Sequence, residues 1–191
     1  MTTEEVVVGF DLYGQDNRGY FYQGADVEAC PTCGLVIDAD WMNPTFVPAR
    51  TRHEMSHTYD GVTIVGGKLA DLIRDWPGVK LDPLPAAPMF CRLTSTQFVE
   101  VDLEHQPPNR THWCERCGRF KYIATGGNRW LKDGSIVPDG LVRTDLTYGS
   151  AFDHPRNRML QHPLLIVNHH FWSLIERGRF GVTSVPVEAQ R

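Results

Sequence analysis

The sequence predicts an α+β fold: a single domain over 1–191, with two strand-helix-strand units, a mixed sheet, and a four-cysteine zinc-knuckle site that staples distant parts of the chain together. Three observations lead there. Two CxxCG pairs, "CPTCG" at Cys30–Gly34 and "CERCG" at Cys114–Gly118, supply four thiolates. Two segments, 62–84 and 164–187, share one order of apolar strand, amphipathic helix and Gly-Val turn into a second strand. The third is composition: 191 residues, 41% hydrophobic and 22% charged, are enough for one buried core and unlike a disordered chain.

Along the chain, "EVVVGFDLY" is rich in β-branched and aromatic residues and reads as the first strand. The stretch from Asp40 to Arg52 holds Pro44 and Pro48 and reads as irregular. "FVEVDLE", Phe98 to Glu104, alternates apolar and polar residues as a half-buried strand does, and "GRFKYIA" after the second Cys pair is another strand. From Thr125 to Asp145 the pairs Gly126-Gly127, Asp133-Gly134 and Asp139-Gly140 mark turns, with little extended structure expected between them.

The internal repeat aligns "VTIVGGKLADLIRDWPGVKLDPL" with "LLIVNHHFWSLIERGRFGVTSVPV" across a one-residue gap. Val65 matches Val167, Leu69 matches Phe171, Ile73 matches Ile175, Gly78 matches Gly181 and Pro83 matches Pro186. His169 and His170 then open the second helix, opposite Gly67 and Lys68 of the first copy. Two unrelated amphipathic segments could also match in this way by chance.

The four cysteines Cys30, Cys33, Cys114 and Cys117 have the spacing of two zinc knuckles. Each knuckle ends in a glycine, Gly34 or Gly118, which can take the positive φ that aims amide N–H groups at the thiolates. Four thiolates complete a tetrahedral shell, so the expected cofactor is one structural Zn2+ per chain and not a hydroxide generator. Two separate redox dithiols are the alternative. Cys91 lies alone in "PMFCRL" and reads as a small buried hydrophobe.

"HEMSH", with His53, Glu54 and His57, matches the H-E-x-x-H pattern of metallohydrolases. That pattern needs a helix, whereas here it follows "PTFVPARTR" and runs into "TYDGV", so turn or surface histidines are the plainer reading. No phosphate-binding glycine loop and no nucleophile elbow occur, and no catalytic residues are assigned. A net charge of −4 supplies no general attraction for phosphate backbones. A nucleic-acid-binding zinc-ribbon adaptor would have to use Arg116, Arg119 and Lys121 around the second pair. The N-terminus "MTTEEVVVGF" is acidic and the chain has no run of eighteen apolar residues, which points to the cytoplasm and to no membrane partner.

The paired "CPTCG" and "CERCG", the stretch "GLVRTDLTYGS" and the ending "LLIVNHHFWSLIERGRFGVTSVPV" together resemble the double-CXXCG motif family of bacterial proteins. That family includes immunity proteins to polymorphic toxins. The resemblance implies that Cys30, Cys33, Cys114 and Cys117 are metal ligands, and that the partner is a cognate protein toxin neutralised by binding. It also implies partner specificity in the variable stretches, Asp40–Asp60 and Thr125–Phe152. Cys91 and HEMSH have no place in the family pattern.

Overall fold

The computed structural model describes residues 5–49, 52–124, 129–150 and 158–190. The described chain is mostly sheet. Its strands are β1 (Glu5–Tyr13), β2 (Gln15–Asp16), β3 (Met55–His57), β4 (Thr63–Gly66), β5 (Val79–Leu84), β6 (Ala87–Ser95), β7 (Gln97–Val99), β8 (Asn109–Cys114), β9 (Arg119–Ala124), β10 (Arg129–Trp130), β11 (Leu141–Ser150), β12 (His162–Val167) and β13 (Thr183–Gln190). Two helices, α1 (Gly67–Ile73) and α2 (His169–Gly178), are the helical part of the described residues.

One sheet has the order β10-β13-β1-β12-β11-β9-β8, with β7 also on β11; the other has the order β2-β3-β4-β6-β5. Both are mixed, because β10 on β13, β7 on β11 and β2 on β3 run parallel while the remaining pairs are antiparallel. A central core lies between the sheets. Leu12, Leu165 and Val167 of the larger sheet meet Met55, Val65 and Leu93 of the smaller one there, with Leu69, Ile73, Phe171 and Ile175 from the two helices.

The two repeat segments occupy equivalent places in the two sheets. In the smaller sheet β6 lies between β4 and β5; in the larger one β1 lies between β12 and β13. Register agrees residue by residue. Val65 and Pro83 both pair with Cys91, and their counterparts Val167 and Pro186 both pair with Phe10. One strand further out, Met55 pairs with Val65 as Leu141 pairs with Val167. The orders β3-β4-β6-β5 and β11-β12-β1-β13 are therefore one arrangement used twice. In the first copy the inserted strand follows the repeat segment, and in the second it begins the chain.

Several expectations need adjustment. The strand read over Phe98–Glu104 stops at Val99, because the Asp102 carboxylate accepts from the amides of Glu104 and His105 at 2.9 and 2.8 Å and turns the chain. The Thr125–Asp145 stretch has its turns at Asp133-Gly134 and Asp139-Gly140, yet β11 already begins at Leu141. Gly126-Gly127 lies outside the described residues.

The irregular stretch after β2 packs on the outer face of the smaller sheet through Phe21, Tyr22, Val36 and Phe46. Buried Asp60 fixes it, accepting from the amides of Phe21 and Tyr22 at 2.8 and 2.6 Å. This places the first Cys pair beside the far edge of the larger sheet.

Candidate metal centre

Cys114 is the last residue of β8 and pairs with Arg119, the first of β9, so the second Cys pair forms the tip of a hairpin. The first pair sits in a miniature hairpin closed by the bridge between Ala29 and Val36. Both tips have the same backbone. Gly34 N–H donates to Cys30 O at 2.8 Å and Gly118 N–H to Cys114 O at 2.9 Å, with φ of +79° and +64° at the two glycines. A side chain at either glycine would strain that left-handed turn.

The sulfurs of Cys30 and Cys114 are 3.8 Å apart, and those of Cys33 and Cys117 are 3.6 Å apart, across a sequence separation of 84 residues. All four Sγ atoms lie within 4.8 Å of one another. Metal–sulfur bonds of about 2.3 Å in a tetrahedron imply sulfur–sulfur edges of about 3.8 Å. The four cysteines therefore fit a single metal ion. Leu35 packs beneath them, and Arg119 Nη2 donates to Val36 O at 2.9 Å, tying one hairpin to the other.

The electrostatics of the cluster suit a cation. Burial opposes the Cys30 thiolate, but the amides of Cys33 and Thr32 aimed at it prevail, and its thiol falls to about 6. Burial pushes Cys33 up to about 12, with the neighbouring sulfurs adding to it. One negative charge forms readily while a second beside it is opposed. A divalent ion removes that opposition and stabilises all four thiolates.

The HEMSH residues do not converge. Met55, Ser56 and His57 form a strand, so the helical turn that would bring His53 and His57 to one ion is missing. Contrary to the expectation of surface or turn histidines, His57 is a half-buried strand residue, its Nδ1 3.0 Å from Thr63 Oγ1 and its Nε2 closed off from solvent. Glu54 supports the start of α1, where its Oε2 accepts from Leu69 N–H at 3.1 Å, at the third residue of the helix. In α2 the equivalent amide, Phe171 N–H, donates to the N-cap side chain of Asn168. The first repeat has Gly66 in place of Asn168, and Glu54 fills the space where a side chain on Gly66 would project.

Cys91 is buried, as its flanking residues suggest, and burial pushes its thiol up. Arg119 is engaged within the knuckle and Lys121 is half-buried, which leaves Arg116 as the exposed cation of the basic rim. Among the described residues no second group of three or more His, Cys, Asp or Glu side chains converges like the cysteines. No helix among them is long and apolar enough to cross a membrane.

Sequence reasoning missed a buried polar network on the outer face of β1. Asp11 lies 3.4 Å from Arg129 Nε, and Arg129 donates to Tyr13 Oη at 2.7 Å. The available signal was an aspartate in the middle of the otherwise apolar "VVVGFDLY". Against family models, curated proteins and solved structures, the chain gives no match.

Proposed function

We propose that the protein is an immunity protein, which binds and neutralises a cognate bacterial toxin and uses one structural Zn2+ without catalysis at the metal. The observation that carries the reading is the closed set of four cysteine sulfurs. Four protein thiolates leave no coordination position for a substrate or an activated water, so the ion contributes to folding. The immunity role comes from the resemblance to double-CXXCG proteins.

The metal would act on the part of the chain that the resemblance associates with specificity. Asp40–Asp60 belongs to the long segment that the first knuckle anchors, and within it Val47 and Tyr59 are 56% and 47% exposed. Rigid display of such a surface reduces the ordering entropy lost on binding. The acidic net charge of −4 would speed encounter with a basic partner.

Co-expression with the product of the adjacent gene tests the function: the neighbour should be toxic alone, harmless with this protein, and co-purify with it. A non-toxic neighbour, or one that still kills, rejects the immunity reading. The metal is tested separately. One zinc per chain is expected by elemental analysis, and Cys114→Ser or a strong chelator should remove both the ion and cooperative unfolding, since structural zinc contributes on the order of 10 kcal/mol in small domains. A metal-free chain with unchanged stability would show that the cysteines are not a staple.

A further inference from the structure

A cavity of about 400 Å³ opens at one end of the space between the two sheets, beyond the helices. The smaller sheet contributes Thr63, Leu93 and Thr94, and the larger contributes Arg143, His162 and Leu165. The volume lies in the range of small-molecule sites. A bulge in the β11–β12 pairing between Arg143 and Thr147 shapes its wall, and bulges of this kind commonly re-aim side chains.

The charges around it are unevenly matched. Lys80 and Arg92 are held by Asp40 and Asp82: Lys80 lies 3.1 and 3.7 Å from the two carboxylates, and Arg92 lies 3.6 and 2.9 Å from them. Arg143, half-buried in the wall, has no hydrogen-bond or ion-pair partner among the described residues. A half-buried guanidinium gains more from a charge-assisted hydrogen bond than a fully solvated one. Leu93, Leu160 and Leu165 supply apolar walls. One unmatched cation and an apolar lining describe a receptor for an amphipathic anion.

We propose that this cavity binds a small organic anion, with a carboxylate or phosphate group paired to Arg143 and an apolar body against Leu93, Leu160 and Leu165. The site is separate from the cysteine cluster, and the proposal does not rest on the immunity reading. Tyr13, Arg129 and Tyr148 line a second cavity, of about 300 Å³, which meets the first only at His162.

Benzoate and phenyl phosphate share an apolar ring and differ in their anionic heads, and benzyl alcohol keeps the ring without the charge. Titrated into the full-length zinc-loaded protein, at least one of the two anions should shift the Arg143 Nε and His162 ring resonances along a single saturating curve. The stronger head tells which anion the site takes. Benzyl alcohol should bind at least tenfold more weakly, since charge-assisted pairing to the guanidinium is absent. Arg143→Gln should weaken the anions by about tenfold or more, Arg143→Lys by less, and Tyr148→Phe in the neighbouring cavity should change nothing. No saturable shift with either anion, or equal binding of benzyl alcohol, overturns the proposal and makes the cavity a water-filled gap. The wild-type titration decides this even if Arg143→Gln does not fold.

Discussion

The half-buried imidazole of His57, with its Nε2 closed off from solvent, is desolvated, and that desolvation, followed by the neighbouring His162, lowers its pKa to about 4. An unfolded histidine titrates near 6.5, so the unfolded state binds the extra proton between those values. The contribution of His57 to stability is therefore complete above pH 6.5 and is lost as the pH falls towards 4, by about 3 kcal/mol in all. Asp11 acts in the opposite direction. Burial raises its carboxyl to about 6 despite Tyr13 and Arg129, so ionising it costs stability as the pH rises from about 4 to 6. His57→Gln should accordingly reduce the slope of unfolding free energy against pH between 4 and 6.5 by up to about 1.4 kcal/mol per unit. Urea denaturation at several pH values measures it, and an unchanged slope would mean that His57 is not held neutral. Neither behaviour is legible in "HEMSH" or "FDLY", because the shift comes from residues distant in sequence.

Among the elements, the two helices begin with the same hydrogen bond made in different ways. Asn168 caps α2 from its own N-terminus, while Glu54 reaches α1 from the residue just before β3. Asn168→Ala and Glu54→Ala should each cost about 1 kcal/mol in chemical denaturation, with Glu54→Gln milder because an amide oxygen still accepts. A Glu54→Ala variant of wild-type stability would remove this role. Strand β1 was readable because apolar β-branched residues announce their own conformation. The Phe98–Glu104 strand was not, since its alternation is overridden by one side-chain turn at Asp102. HEMSH is likewise a pattern whose chemistry depends on a helix that the chain does not form there.

For the whole molecule, the shared sheet order makes the chain's ends equivalent to a turn. Glu5 pairs with Gln190 across β1 and β13, just as Ala87 pairs with Leu84 across the β5–β6 hairpin. A circular permutant that joins Gln190 to Glu5 by a short linker and opens the chain at Pro85-Ala86 should fold with the same metal content and a similar circular dichroism spectrum. A permutant that remains unfolded would show that the two halves match in topology but not in energetics. The tertiary arrangement also gives the cysteine cluster its position, between the long segment before β3 and an edge hairpin of the other sheet. By itself the sequence determined the two CxxCG turns, their glycines and the two repeat segments, because cysteine spacing, left-handed backbone and periodicity are local properties. Tertiary structure alone decided that β1 and β6 sit inside those repeats, that Glu54 caps a helix, and that Arg143 lines a cavity with no ion-pair partner among the described residues. Strand order and burial follow from contacts between distant residues, which no short stretch of sequence encodes.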